Sequence, residues 1–194
     1  MLGRERWIRL QELLLARAVA WASEVGPGSV SVAYEPIDGG PEVRALLGAG
    51  VATFAQNGAG PSGRLANAAV RALGGGDGPL LIAWPDLPLW RAEQATAALG
   101  DLRDGCDLSV GPVFDGGFYL IALARPLPAL FGLPEDIWRN SDAMPVVLAA
   151  AHAAGVEGGL LRAERGLHSV GDVRAALADP LLDSELRRLL DPVK

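Results

Sequence analysis

The chain has 194 residues, half of them hydrophobic, which is enough for one domain with a sizeable core and excludes a chain disordered throughout. Its 17 Lys and Arg against 23 Asp and Glu give a formal net charge of -6, and this excludes a basic face for nucleic acid or an anionic membrane surface. A single cysteine, Cys106, excludes an internal disulfide framework and suits a reducing compartment.

Arg4, Glu5, Arg6 and Arg9 fill the first turn, with no apolar run of the kind a secretory signal needs, and the longest apolar run, 118–124, is too short to span a bilayer. The expected location is therefore the cytoplasm. Trp7, Leu10, Leu14, Ala18, Trp21 and Val25 recur at spacings of three and four, the stripe of an amphipathic helix. Glu5 and Arg9 lie on its wet side, and Gly26, Pro27 and Gly28 stop it. A strand is expected over 29–34, then a loop, a short helix over 42–47 and a strand over 51–54. The glycine-rich stretch 56–63 opens a helix over 62–73, and 74–78 is a turn-rich link.

Residues 80–84 form a continuous apolar run, the pattern of a strand buried on both faces, and Pro85-Asp86-Leu87-Pro88 breaks it before a helix ending near 99. Two strands are expected over 107–113 and 116–124. Helices follow over 128–131 and 143–154, and a last strand over 158–162. Ser169 with Asp172 three residues on reads as a capping box, and a final helix covers 181–190. Strands alternating with helices predict an α/β fold with a largely parallel sheet and helices on both faces, in one domain over 1–194.

Asp86 stands at the carboxyl end of a strand, the edge where open α/β sheets bind ligands. It either caps the following helix or holds Mg2+ or Mn2+, hard cations that take oxygen ligands and a diphosphate. Asp115-Gly116-Gly117 is either a hairpin turn or a carboxylate held where glycines let a substrate approach the backbone. The stretch 57–64 offers backbone N–H groups and Arg64 to an anion but matches no P-loop. His168, just before the capping Ser169, is either a plain loop residue or a metal ligand or proton donor. His152 and Cys106 read as structural. Trp84 and Trp90 bracket Asp86 as core residues or as stacking surfaces.

The run ending in Trp84-Pro85-Asp86-Leu87-Pro88 is similar to a strand ending in Asp-x-Pro. The block from Gly111-Pro-Val-Phe-Asp115-Gly-Gly-Phe-Tyr-Leu-Ile-Ala-Leu123 is similar to Gly-Pro-Ala-x-Asp-Gly-Gly-Tyr-Tyr-Leu-Ile-Gly-Leu, and Trp138 follows where a Trp precedes a helix. Together these resemble a GT-A-type glycosyltransferase-like family of the arsenosugar-biosynthesis type. The resemblance covers nearly the whole chain and implies the nucleotide-diphospho-sugar transferase fold, a three-layer α/β/α sandwich. It implies Asp86 as the metal carboxylate, Asp115 as an active-site acid, and Arg64, Gly116, Gly117 and Trp138 at the substrate. The family's opening strand and basic loop have no counterpart, so the expectation is an N-terminally truncated version whose true start lies upstream. The missing strand would lie between the strands at 29–34 and 80–84. The family's acidic position before Arg64 is Gly60 here. Its late Asp-x-Asp-Thr becomes Gly166-Leu167-His168-Ser169, so His168 takes a position where such enzymes place a later metal ligand.

The leading expectation is glycosyl transfer from a nucleotide-diphospho-sugar to a small-molecule acceptor with Mg2+ or Mn2+. Nucleotidyl transfer of the guanylyl- or cytidylyltransferase type and a non-catalytic homologue are the alternatives. Neither nucleic acid nor a membrane span is expected, and the oligomeric state is left open, a homo-oligomer included.

Overall fold

The computed structural model describes residues 3–26, 30–74, 78–139 and 143–191. Pro27, Gly28 and Ser29, and the centre of the 74–78 link, lie outside the described residues. In chain order the elements are α1 (Arg4–Val25), β1 (Ser31–Tyr34), α2 (Gly40–Leu47), β2 (Ala52–Ala55), α3 (Gly60–Leu73), β3 (Leu80–Ala83), α4 (Ala92–Arg103), β4 (Leu108–Pro112) and β5 (Phe118–Leu123). Then come α5 (Pro128–Phe131), α6 (Ala143–Ala153), β6 (Gly158–Leu160), α7 (Val170–Ala178) and α8 (Ser184–Leu190). No described helix is long and apolar enough to cross a membrane.

The stripe read on α1 is the buried one: Leu10, Leu14, Ala18 and Trp21 are covered, although Trp7 at its start is half-exposed. Leu10 and Leu14 pack with Leu182, Leu186 and Leu190, which ties α1 to α8. Trp21 packs with Ala95 and Ala98 of α4 and with Tyr119, Leu120 and Ala122 of β5. On the other side Phe118, Ile121 and Leu123 of β5 meet Ala143, Val147 and Ala151 of α6. Every residue of β5 is buried, as a run apolar on both faces requires.

The strands form two sheets. β1 and β2 pair in parallel, Ser31 opposite Ala52 and Tyr34 opposite Ala55. The second sheet has the order β3-β5-β4-β6. β5 is antiparallel to both β3 and β4, and β6 is parallel to β4. The largely parallel sheet expected from the alternation of elements is therefore corrected to a mixed one. The reason is the link between β4 and β5, which is far too short for the crossover that parallel neighbours need. β3 also departs from expectation. Leu80, Leu81 and Ile82 are half-buried and Ala83 is exposed, because among the described residues β3 has a strand on one side only. Among the described residues no ladder joins β1 to β3, the two strands that the resemblance places on either side of a missing one.

Candidate active site

β3 and β4 both oppose β5, and β6 follows β4, so β3, β4 and β6 run in one direction. Asp86 follows β3, Asp115 follows β4, and His168 lies in the loop from β6 into α7. All three thus emerge at the same carboxyl edge, where open α/β sheets place ligands. Backbone hydrogen bonds tie the His168 loop down. Glu164 N–H donates to Pro112 O (3.0 Å), Phe114 N–H to Glu164 O (3.1 Å), and Leu167 N–H to Asp86 O (3.0 Å).

The His168 ring bridges the two carboxylates: Nδ1 meets Asp115 Oδ2 and Nε2 meets Asp86 Oδ2. Burial pulls its pKa down, but the hydrogen bonds and charges of Asp86 and Asp115 outweigh burial, and the net shift is upward. Asp86 does not cap α4. That helix starts at Ala92, and its entry is closed by Arg91 N–H donating to Gln94 Oε1 (2.8 Å). Asp86 Oδ1 is instead buried with no hydrogen-bond partner.

At Asp115 the hairpin reading of the sequence holds. Gly116 N–H donates to Val113 O and Val113 N–H to Gly117 O, each at 3.0 Å, which closes the hairpin. Gly116 takes φ +93°, a conformation that favours glycine. Asp115 Oδ1 accepts Gly117 N–H at 3.3 Å, leaving Oδ2 for His168. At Gly117 a Cβ would press on Val113 Cγ2 at 3.3 Å.

The capping box is present as read: Ser169 Oγ accepts Asp172 N–H at 3.2 Å and Asp172 Oδ2 accepts Ser169 N–H at 2.8 Å. Burial raises the Asp172 pKa, but hydrogen bonds from Ser169, Arg165 and the His168 backbone win, and the net shift is downward. The sequence reading missed Arg165 and Phe114. Their contact joins positions 51 residues apart, and only the Asp-Gly turn beside Phe114 hinted at it.

The other candidates make contacts with residues outside the cluster. Arg64, on α3, pairs with Glu35 at 3.0 Å. Trp138 Nε1–H donates to Ser62 Oγ at 2.6 Å, and its ring stands 6.1 Å from Phe118. The glycine-rich entry to α3 is occupied: a Cβ on Gly60 would collide with the Glu135 carboxylate. Trp90 stacks on Trp21 at 4.3 Å and Trp84 faces Phe118 at 6.2 Å, so both pack half-buried against the core. His152 is exposed on α6. Burial, reinforced by Asp101, Glu157, Asp104 and Asp107, pushes the Cys106 thiol pKa up, which disfavours the reactive thiolate.

Asp86 and Asp115 offer oxygen donors that suit Mg2+ or Mn2+, and the softer His168 imidazole favours Mn2+ over Mg2+. The buried, unpartnered Asp86 Oδ1 is a group that costs free energy unless a cation or water meets it. Among the described residues no three such side chains close around one point as they lie, since the imidazole stands between the carboxylates. The carboxylate chemistry fits a hard cation only if His168 gives up a carboxylate contact.

Comparison with curated proteins gives no match. A crystal structure of a "putative nucleotide-diphospho-sugar transferase" from Desulfovibrio desulfuricans G20 is similar, with a TM-score of 0.80 at 23% identity, over 97% of this chain and 83% of that one. The two share a fold. Residues 18–133, more than half of the chain, match the model of the family described as "Uncharacterized protein conserved in bacteria (DUF2064)", and the chain belongs to that family.

Proposed function

We propose that the chain transfers a glycosyl group from a nucleotide-diphospho-sugar to a small-molecule acceptor, with Mg2+ or Mn2+ held by Asp86 and His168. The observation that carries this reading is the His168 imidazole between Asp86 and Asp115, at the carboxyl edge of three co-directional strands. The fold shared with a protein named for the same donor class supports it. When bound, the cation supplies charge neutralisation at the donor's diphosphate.

The chain's own residues do the rest. Asp115 takes the proton of the acceptor hydroxyl as that oxygen bonds to the anomeric carbon and the nucleoside diphosphate leaves. Its Oδ1 is held by Gly117 N–H, and its Oδ2 takes the proton once His168 releases it. Gly116 and Gly117 keep the backbone open to the sugar. For Arg64 to reach a phosphate it must leave Glu35. That ion pair withholds a phosphate partner and favours a second reading, a non-catalytic homologue.

Calorimetry with Mn2+ and a panel of nucleotides tests the site. Asp86→Ala is expected to abolish Mn2+-dependent nucleotide binding and leave the melting temperature nearly unchanged. A variant that binds as well as wild type removes Asp86 from the site. Selective binding of a triphosphate points to nucleotidyl transfer instead.

A further inference from the structure

Arg165 makes no hydrogen bond or ion pair to the three members of the cluster, and it touches a neighbour of the cluster on each side. Its guanidinium lies over the Phe114 ring, 5.1 Å from the centroid, and Phe114 is the residue before Asp115. Its Nη1 donates to Asp172 Oδ1 at 2.8 Å. The other Asp172 oxygen accepts the backbone N–H of His168 (3.3 Å) and of Ser169 (2.8 Å), and the Ser169 hydroxyl (2.7 Å).

A capping box explains the Ser169 contacts alone. It does not require the bond to His168 N–H, nor a guanidinium that grips Phe114 at the same time. The Asp172 side chain is only 15% exposed, so its orientation is held by these partners. Arg165 is 46% exposed, and an ion pair that open to water adds little to stability.

We propose that Arg165 is a positioning residue: through Phe114 and Asp172 it fixes the Asp115 turn and the His168 backbone relative to each other, so that the imidazole and both carboxylates meet. The chain Phe114–Arg165–Asp172–His168 crosses from the β4–β5 hairpin to the entry of α7 in three contacts. Its predicted effect on metal affinity rests on the metal reading given above, whereas its effect on geometry does not.

The test uses Arg165→Ala, Arg165→Lys and Asp172→Asn in the full chain, with three readouts. In the metal-free protein, NMR should show the His168 ring protons and the Asp115 amide shifted or broadened in Arg165→Ala, although Arg165 touches neither. Mn2+ affinity by calorimetry should fall about tenfold, the size usual for groups that orient a metal ligand. Thermal melting should stay close to wild type. Arg165→Lys keeps the charge opposite Asp172 but lacks the planar fork, and should recover only part of the loss. Asp172→Asn should disturb the His168 signals and leave the Phe114 ring signals in place.

Wild-type His168 and Asp115 signals in Arg165→Ala, with Mn2+ affinity unchanged, would overturn the proposal. If the wild-type chain binds no Mn2+, the metal reading fails, and the NMR spectra alone decide the positioning role. A loss of Mn2+ affinity that scales with a fall in melting temperature across all three variants would reduce Arg165 to a structural residue and also overturn it.

Discussion

Tyr119 shows how one side chain serves both packing and polarity. It is 1% exposed, it meets Trp90 edge-on at 6.1 Å, and its hydroxyl donates to Arg162 O at 3.3 Å. Burial, reinforced by Glu164 and opposed by Arg162 and Arg91, pushes its pKa up to about 12. The unfolded value is near 10, so the folded state binds this proton more tightly between the two. The stability Tyr119 adds is therefore complete below about pH 10 and lost as pH rises through about 12. Ultraviolet titration should show one tyrosinate appearing late, and chemical denaturation should show stability falling over that window. Tyr119→Phe should remove the late tyrosinate and cost about 1 kcal/mol for the lost hydrogen bond. Gly111 belongs to the same arrangement: a Cβ there would lie 2.5 Å from Tyr119 Cζ in the middle of the sheet. Gly111→Ala should cost about 1–3 kcal/mol by overpacking, measured by urea unfolding.

Among the elements, α7 most clearly does two jobs. Its N-cap satisfies helix donors and also anchors the loop that carries His168. Ser169→Ala should cost about 1 kcal/mol and should also broaden the His168 ring signals. This box was legible in the sequence because both partners lie within one turn of helix. The buried stripe of α1 was legible for a similar reason, since its period is a property of consecutive residues. The direction of β5 was not. A continuous apolar run marks burial on two faces and carries no arrow, so only the 113–117 link, by its shortness and its Asp-Gly hairpin signal, pointed to an antiparallel neighbour. Asp86 was legible as a strand-end carboxylate, yet its freedom from α4 depended on the helix starting at Ala92 rather than soon after Pro88. The pairing of Arg64 with Glu35 joins residues 29 apart across two elements, and no local pattern announces it.

Over the whole molecule the distribution of protection should follow the two sheets. β5 is flanked by β3 and β4 and buried along its length, whereas β1 and β3 each have one partner among the described residues. A strand edge without a partner exchanges its outward amides with water and is a template for further pairing. Hydrogen exchange should therefore be slowest in β5, and fast in β1 and in those β3 amides directed away from β5. Protection of β3 equal to that of β5 would mean that another strand covers this edge. The ends of β3, β4 and β6, from which the cluster emerges, come together within the second sheet. We propose that Asp86, Asp115 and His168 form one metal-dependent site for a nucleotide-diphospho-sugar. Its most direct test is calorimetric titration of the full chain with a nucleoside diphosphate, with and without Mn2+, in wild type and in His168→Ala. Binding that requires Mn2+ and is lost in His168→Ala, with the fold retained, is the predicted result. Binding of equal strength without Mn2+, or unaffected by the loss of the imidazole, would contradict it.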